Sequence, residues 1–370
     1  MLERRRVLIS GGGTGGHVFP GLAVAAVLES RGWSVAWAGG EGLETRLVGE
    51  KGYPFHRLAA KPVVGRGVLG KLLAILVLLR SMVSAASLVR KLAARVVIGT
   101  GGYVSAPAVL GARLTGRPVL LLEPNAEVGL ANRMLARFAT EATVAYPAAQ
   151  AHLKCRSVVT GTPVRAVFAT IPEALPEGPF HLLVLGGSQG AKQLNVGVPA
   201  ALAALDLDAL DLDGEDIIVT HQAGARWAEA VEASYRQWDD AGALDHVSWR
   251  VTPFLDDVAG AMAASHLVVS RAGALTLAEL CVAGRPSVLV PLAAAAGHQR
   301  GNAAQLASAG AAVMIDQPEI ATELARTLTD LHADRSRLDA MAVAARQLAN
   351  PDAATAIADR AEALDEEKRA

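Results

Sequence analysis

Residues 7–23 read Val-Leu-Ile-Ser-Gly-Gly-Gly-Thr-Gly-Gly-His-Val-Phe-Pro-Gly-Leu-Ala. The apolar run Val7–Ser10 is short and stops at glycine, as a buried strand does. Five of the next six residues are glycine, and a helix-period stretch, Pro20–Arg31, follows with proline suited to its opening turn. Strand, glycine turn and helix in that order form the repeating unit of a parallel sheet covered by helices. The unit recurs twice: Gly99-Thr100-Gly101-Gly102-Tyr103 follows the run Val96–Gly99, and Gly186-Gly187-Ser188-Gln189-Gly190 follows His181–Gly186.

Further strand candidates are Ser34–Ala38 and Pro118–Leu122 in the first half, and Asp216–Thr220, Val247–Val251, His266–Ser270 and Ser287–Pro291 in the second. Helical patterns lie between them, among them Val68–Ala94, Ala106–Thr115 and Val128–Phe138, and stretches opening at Ala191, Gly224, Leu255, Leu275, His298 and Ala321. The alternation predicts an α/β protein with two Rossmann-like, doubly wound domains facing each other across a binding cleft. The expected boundaries are 1–163 and 164–340, joined near Thr162-Pro163, with 341–370 a C-terminal helix packing back on the first domain. The acidic run Ala204–Asp216 holds two Asp-Leu-Asp triplets of a kind that can bind a divalent ion. Set among leucines between a helix and a strand, it reads as a solvated connection.

A chain of 370 residues has room for two domains at roughly 150 residues each. Hydrophobic residues make up 52% and charged residues 19%, with a mean hydropathy of +0.31, which excludes a disordered chain. No uncharged apolar run reaches the roughly 18 residues of a spanning helix, and Leu72–Leu79 ends at Arg80. The start is too short in apolar residues for a signal peptide, and Cys155 and Cys281 are too few for a disulfide framework or zinc site. The net charge of −1 hides a segregation: residues 1–165 carry 21 Lys and Arg against 8 Asp and Glu, the remainder 14 against 28. Between Lys51 and Leu122 there are eleven basic residues and no acidic one, which predicts that the first half faces an anionic partner.

Glycine admits positive φ and lets a ligand approach the backbone, and the helix start beyond it offers unpaired N–H groups that suit phosphate. Three such turns point to nucleotide or anion binding. Gly11-x-Gly13-x-x-Gly16 also fits the dinucleotide fingerprint, but the next strand ends in Gly39-Gly40 and Glu41 falls beyond it. His17 and Pro20 also depart from the nicotinamide pattern.

The run Gly12 to Ala23, with Gly101-Gly102-Tyr103-Val104-Ser105, Gly186 to Ala191, Arg271 to Glu279, and His298-Gln299 followed by Asn302-Ala303, closely resembles the MurG-type peptidoglycan N-acetylglucosaminyltransferases, which are family 28-like. The motifs stand in family order from Gly12 to Ala303. The resemblance implies a GT-B fold and metal-independent, inverting transfer from UDP-N-acetylglucosamine to lipid I, forming lipid II with a β-1,4 linkage. Neither cofactor nor nucleic acid is implied. Three alternatives stay open: a related enzyme acting on another lipid or metabolite, a nicotinamide oxidoreductase, and a non-catalytic nucleotide-binding scaffold.

Gly273-Ala274-Leu275-Thr276 opens a helix whose amides can hold the donor phosphates, and Glu279 lies one turn along, able to accept from both ribose hydroxyls. The resemblance adds Ser188 and Arg165 at the diphosphate, Gln299 at the sugar hydroxyls and the Leu255 backbone at uracil. It also places Thr14, Gly15, Gly16, Asn125, Gln189, His298 and Asn302 on the donor side, and Gly101, Gly102, Tyr103 and Glu123 on the acceptor side. His17, at a helix start, is the candidate base, with a positioning role as its alternative. Two departures stand out: Leu122-Glu123-Pro124-Asn125 replaces a His-Glu-Gln-Asn run, and Ala293–Ala296 replaces more polar residues. The leucine-rich run from Leu72 to Leu79 exceeds what one buried stripe holds, so some residues must face outward. With Lys71, Leu72, Ile75, Leu76, Leu79 and Arg80 it predicts an anchor on an anionic membrane, peripheral on the cytoplasmic face of a bacterial cell. A partner-protein interface or a buried helix would be the alternative.

Overall fold

The computed structural model describes residues 5–60, 67–187, 189–205, 217–293 and 298–370. Ser188, both Asp-Leu-Asp triplets and most of Ala293–Ala296 lie outside the described residues, as do the side chains of Lys71 and Leu72. The chain forms two compact units, residues 1–166 with 350–370, and residues 167–349.

The first unit holds a seven-stranded parallel sheet of β1 (Arg6–Ser10), β2 (Ser34–Gly39), β3 (Phe55–Arg57), β4 (Val96–Gly99), β5 (Val119–Glu123), β6 (Glu141–Val144) and β7 (Arg156–Val159), in the order β3-β2-β1-β4-β5-β6-β7. Register places Val7 beside both Val35 and Val96. The connections carry α1 (Gly15–Ser30), α2 (Leu43–Glu50), α3 (Val68–Lys91), α4 (Ala106–Leu114), α5 (Leu130–Leu135) and α6 (Pro147–Gln150). Strands β3, β6 and β7 were not evident from the sequence; β3 and β7 are edges, and only three or four residues long. Helix α1 starts at Gly15 rather than Pro20, because the backbone already turns at Thr14, whose carbonyl accepts from His17 and Val18 N–H. Pro20 therefore sits inside the helix at the loss of one helical hydrogen bond.

The second unit holds β8 (His181–Leu185), β9 (Ile217–Gln222), β10 (Val247–Thr252), β11 (Leu267–Ser270), β12 (Ser287–Leu289) and β13 (Ala312–Met314), all parallel, in the order β10-β9-β8-β11-β12-β13. Its helices are α7 (Lys192–Ala203), α8 (Ala228–Asp240), α9 (Val258–Ala263), α10 (Ala274–Ala283), α11 (His298–Ser308), α12 (Ile320–Ala333) and α13 (Arg335–Gln347). The boundary expected at 340–341 falls inside α13, whose Leu338, Met341 and Ala345 are buried in this unit's core. The chain leaves the unit only at residue 350.

The last helix, α14 (Ala353–Arg369), packs on the first unit. Ile357, Ala358, Ala361 and Leu364 are buried with Val18, Leu22 and Val24 of α1, and a buried Ile or Leu contributes about 1.5–3 kcal/mol. Polar contacts fix its rotation: Arg360 holds the buried Glu141 carboxylate through two hydrogen bonds of 2.6 and 2.7 Å, and Arg31 reaches Glu362 at 2.7 Å.

Helix α3 inverts the usual amphipathic pattern. Its buried stripe is Ala74, Ser81, Ala85, Ala86 and Val89, while Leu73, Ile75, Leu76, Leu79 and Val83 are exposed, Leu76 by 63%. The stripe lies against α4, where Gly111 has no Cβ and so admits the backbone of Ala86. The sequence holds no uncharged run of spanning length, yet Leu73–Lys91 is long and apolar enough to cross a bilayer by length and composition. Its outward face is the apolar one.

Candidate functional site

In each sheet the strand order reverses beside the first strand of the unit, and the two glycine-bearing turns flank that point. Loops after β1 and β4 do so in the first unit, and loops after β8 and β11 in the second. Ligands of doubly wound sheets bind outside the carboxyl ends of strands at this switch point.

In the first unit, Gly11 and Gly12 are required by contact: a Cβ would meet Thr100 Oγ1 at 1.9 Å or the Glu44 carboxylate carbon at 2.3 Å. Buried Glu44 is the residue that sequence reasoning missed. Its carboxylate accepts from Gly13 N at 2.9 Å, Gly40 N at 3.0 Å and Gly42 N at 3.3 Å, tying the loop after β1 to the loop after β2. The Gly13 amide is therefore taken by an internal carboxylate. The only local signal is an acid in the first turn of a helix after a glycine pair. Thr14 is exposed and Gly15 and Gly16 are half-buried at the start of α1. Glu41, the acid nearest a dinucleotide fingerprint position, turns to Arg57 at 3.2 Å.

His17 is half-buried, with Nδ1 3.1 Å from the Gly12 carbonyl and 3.3 Å from Thr14 Oγ1. A carbonyl only accepts, so Nδ1 carries the proton and Nε2 keeps its lone pair. Its ring lies against the second turn: Gly101 and Gly102 have φ of +106° and +74°, and a Cβ on Gly101 would stand 2.9 Å from the imidazole. Burial lowers the imidazole pKa below its ordinary value, outweighing the Gly12 hydrogen bond and the fields of Glu123 and Glu44. The ring is thus neutral at neutral pH and can take up a proton. Tyr103, on the same turn, is 47% exposed.

Glu123, at the end of β5, is buried and fully used. One oxygen accepts from Asn125 N and Nδ2 at 3.0 and 2.9 Å, the other from Gly129 N and Asn132 Nδ2 at 2.9 and 3.0 Å. The carboxylate shapes residues 124–132 through these four hydrogen bonds. The Asn125 amide is held in that cage. Arg165 lies over the Phe19 ring of α1 at 5.3 Å.

In the second unit, Gly273 stands at the N-cap of α10, its extended backbone leading into the helix with no side-chain cap. Residues 273–276 are half-buried, and Glu279 is buried one turn on. Arg271, just before this turn, donates to the Val290 carbonyl at 3.0 Å and to Gln317 and Gln193, fastening the turn to its neighbours. Asn302 is buried and donates to the Ala272 carbonyl at 3.2 Å, so it positions the same turn. Gln299 accepts from Leu292 N at 2.9 Å, His298 is half-buried beside it, and Leu255 is half-buried between β10 and α9. Gln189 is exposed on the turn after β8, where Gly187 and Gly190 have positive φ. Among the described residues no group of three or more His, Cys, Asp or Glu could hold a metal ion.

Two family models match: the glycosyltransferase family 28 N-terminal domain over residues 7–144 and the family 28 C-terminal domain over residues 181–357. The chain belongs to glycosyltransferase family 28. Within this family, it is 45% identical over 363 residues to a Xanthomonas campestris protein, covering 96% of this chain and 81% of that one. A Burkholderia vietnamiensis protein is 41% identical over 365 residues, covering 96% and 95%. Both are named UDP-N-acetylglucosamine–N-acetylmuramyl-(pentapeptide) pyrophosphoryl-undecaprenol N-acetylglucosamine transferase. The crystal structure of Acinetobacter baumannii MurG superposes with a TM-score of 0.80 at 34% identity, covering 98% of this chain and 100% of that one.

Proposed function

We propose that this family 28 glycosyltransferase moves N-acetylglucosamine from UDP-N-acetylglucosamine to the muramyl 4-hydroxyl of lipid I, with inversion, yielding a β-1,4 linkage and lipid II for the cell wall. The observation that carries this reading is the uncapped start of α10 at Gly273, with buried Glu279 one turn along, in a chain 41–45% identical to proteins named for that transfer.

Transfer forms a bond between the acceptor oxygen and sugar C1 and breaks the bond from C1 to the UDP oxygen. UDP departs with the electron pair, and the hydroxyl proton goes to a base. The amides of Ala274, Leu275 and Thr276 are fixed before the reaction, so they stabilise the growing negative charge without reorganising. Arg165 adds a guanidinium to the diphosphate, and Glu279 accepts from the ribose hydroxyls. His17 Nε2 takes the proton, since Nδ1 is committed to Gly12. This arrangement calls for no divalent metal. UDP release should depend on both UDP-N-acetylglucosamine and a lipid I analogue, and should persist in excess EDTA. Release that ignores the lipid I analogue refutes the acceptor assignment.

Membrane attachment belongs to the same proposal. The exposed Leu73, Ile75, Leu76, Leu79 and Val83 of α3, with exposed Arg80, Arg90 and Lys91 on the same helix, suit an anionic bilayer surface on the cytoplasmic side.

A further inference from the structure

At the end of the first sheet opposite His17, the amino ends of central strands flank a cavity of about 320 Å3. Arg6 opens β1, Arg95 immediately precedes β4, Arg117 stands two residues before β5, and Lys368 and Arg369 come from the last turn of α14. Five cations therefore line one concavity with a single carboxylate, Asp365, whose ion pair with Arg95 is long at 3.4 Å. Of the other acids of α14 near this end, Glu362 pairs with Arg5 and Arg31 and Glu367 with Arg156, while Glu366 is exposed and does not line the cavity. Arg6 donates one hydrogen bond, to the Leu92 carbonyl at 3.0 Å.

The backbone is shaped to bring these groups together. Ala93 lines the cavity with φ of +50°, and among the described residues it is the sole non-glycine with positive φ. It ends α3 where glycine is usual, with Ala94 N–H bonded to Val89 carbonyl at 3.0 Å, and this reversal delivers Arg95 to the cavity. Lys368 and Arg369 alone would be accounted for by the negative end of the α14 dipole. That does not account for Arg6, Arg95 and Arg117, which converge from the starts of three separate strands.

We propose that this cavity binds a multiply charged phosphate anion, at a site separate from the one that takes the donor. Guanidinium forks match phosphate oxygens two at a time, and an excess of four positive charges suits a diphosphate better than a single carboxylate. The anion could be a soluble phosphate compound or a lipid headgroup. The exposed leucines of α3 lie about 25 Å from Ala93, by 17 residues of helix from Leu76.

The test is calorimetric titration of the full chain with sodium pyrophosphate, with UDP saturating the donor site, alongside sedimentation with phosphatidylglycerol vesicles. Arg117→Glu with Lys368→Glu should weaken pyrophosphate binding at least tenfold. Arg117→Gln with Lys368→Gln, a milder pair, should weaken it in the same direction. Unchanged vesicle sedimentation in these variants assigns the site to a soluble anion, whereas a parallel loss assigns it to a headgroup. Absence of pyrophosphate binding by the unmodified chain, or equal affinity in both variants, overturns the proposal.

Discussion

The carboxylate of Glu44 accepts the Gly13 N–H at 2.9 Å, so the first glycine loop carries its own internal anion. At the helix starts themselves, neither Thr14 of α1 nor Gly273 of α10 makes a side-chain cap bond. Two glycine turns that look alike in sequence differ in how they are held. The first is tied through Glu44 to the loop after β2, and the second through Arg271 to the Val290 carbonyl.

Glu44→Ala should lower unfolding stability by about 1–3 kcal/mol, because Gly13, Gly40 and Gly42 N–H lose their acceptor in a dry site. Glu44→Gln, which keeps an acceptor oxygen, should cost less. Urea denaturation of the two variants checks the ordering, and equal losses would argue against the carboxylate as the tie.

Glu279→Ala should raise the donor KM roughly ten- to hundredfold with a smaller change in kcat, as a charge-assisted contact is worth about 1.5–3 kcal/mol. Steady-state kinetics against UDP-N-acetylglucosamine provide the check. An unaltered KM removes Glu279 from the ribose.

His17→Ala should reduce kcat by about 100-fold or more while UDP still binds. In the unmodified enzyme, activity needs the neutral ring, and burial lowers its pKa. Activity should therefore persist below the usual imidazole range, near pH 6.5, and fall only at lower pH. A profile that breaks at or above that range assigns proton transfer to another group.

Stability of the second unit should fall on acidification. Burial pushes His221 down to about 3, and burial with the nearby Arg335 pushes His266 down to about 4. Below about pH 6.5 the unfolded chain takes up protons that the folded chain refuses, so folding weakens progressively toward those lower values. His221 is held neutral between Tyr235 and Asn195, at 3.1 Å each. The urea midpoint should drop between pH 7 and 5, with a shallower slope in His221→Gln; an identical slope would exclude His221 as a source.

Ile75→Glu with Leu79→Glu should reduce sedimentation with anionic vesicles severalfold and leave the fold intact, since both side chains are exposed. Thermal unfolding controls for the fold. Unchanged sedimentation would end the membrane reading of α3.

The strands that carry glycine turns were legible because an apolar run, a glycine cluster and a helix period are local in sequence. Edge strands β3 and β7 were not, being short, mixed in polarity and paired on one side only. Outward leucines on α3 followed from counting against the capacity of one stripe, but which residues face out was set by Gly111 of α4 admitting the small-residue face. For the site, the sequence placed His17, Glu123 and Glu279 at strand ends and helix starts. It could not show that Glu123 spends all its acceptor capacity on its own loop.

By itself, then, the sequence determined the two parallel-sheet units, the glycine turns between strand and helix and the charge asymmetry, all properties of residues near one another along the chain. Tertiary structure alone decided that Glu44, 31 residues away, takes up the Gly13 amide, and that five cations from four segments meet in one cavity. Those outcomes depend on which distant groups packing brings within hydrogen-bond or Coulomb range, and no local periodicity encodes that distance.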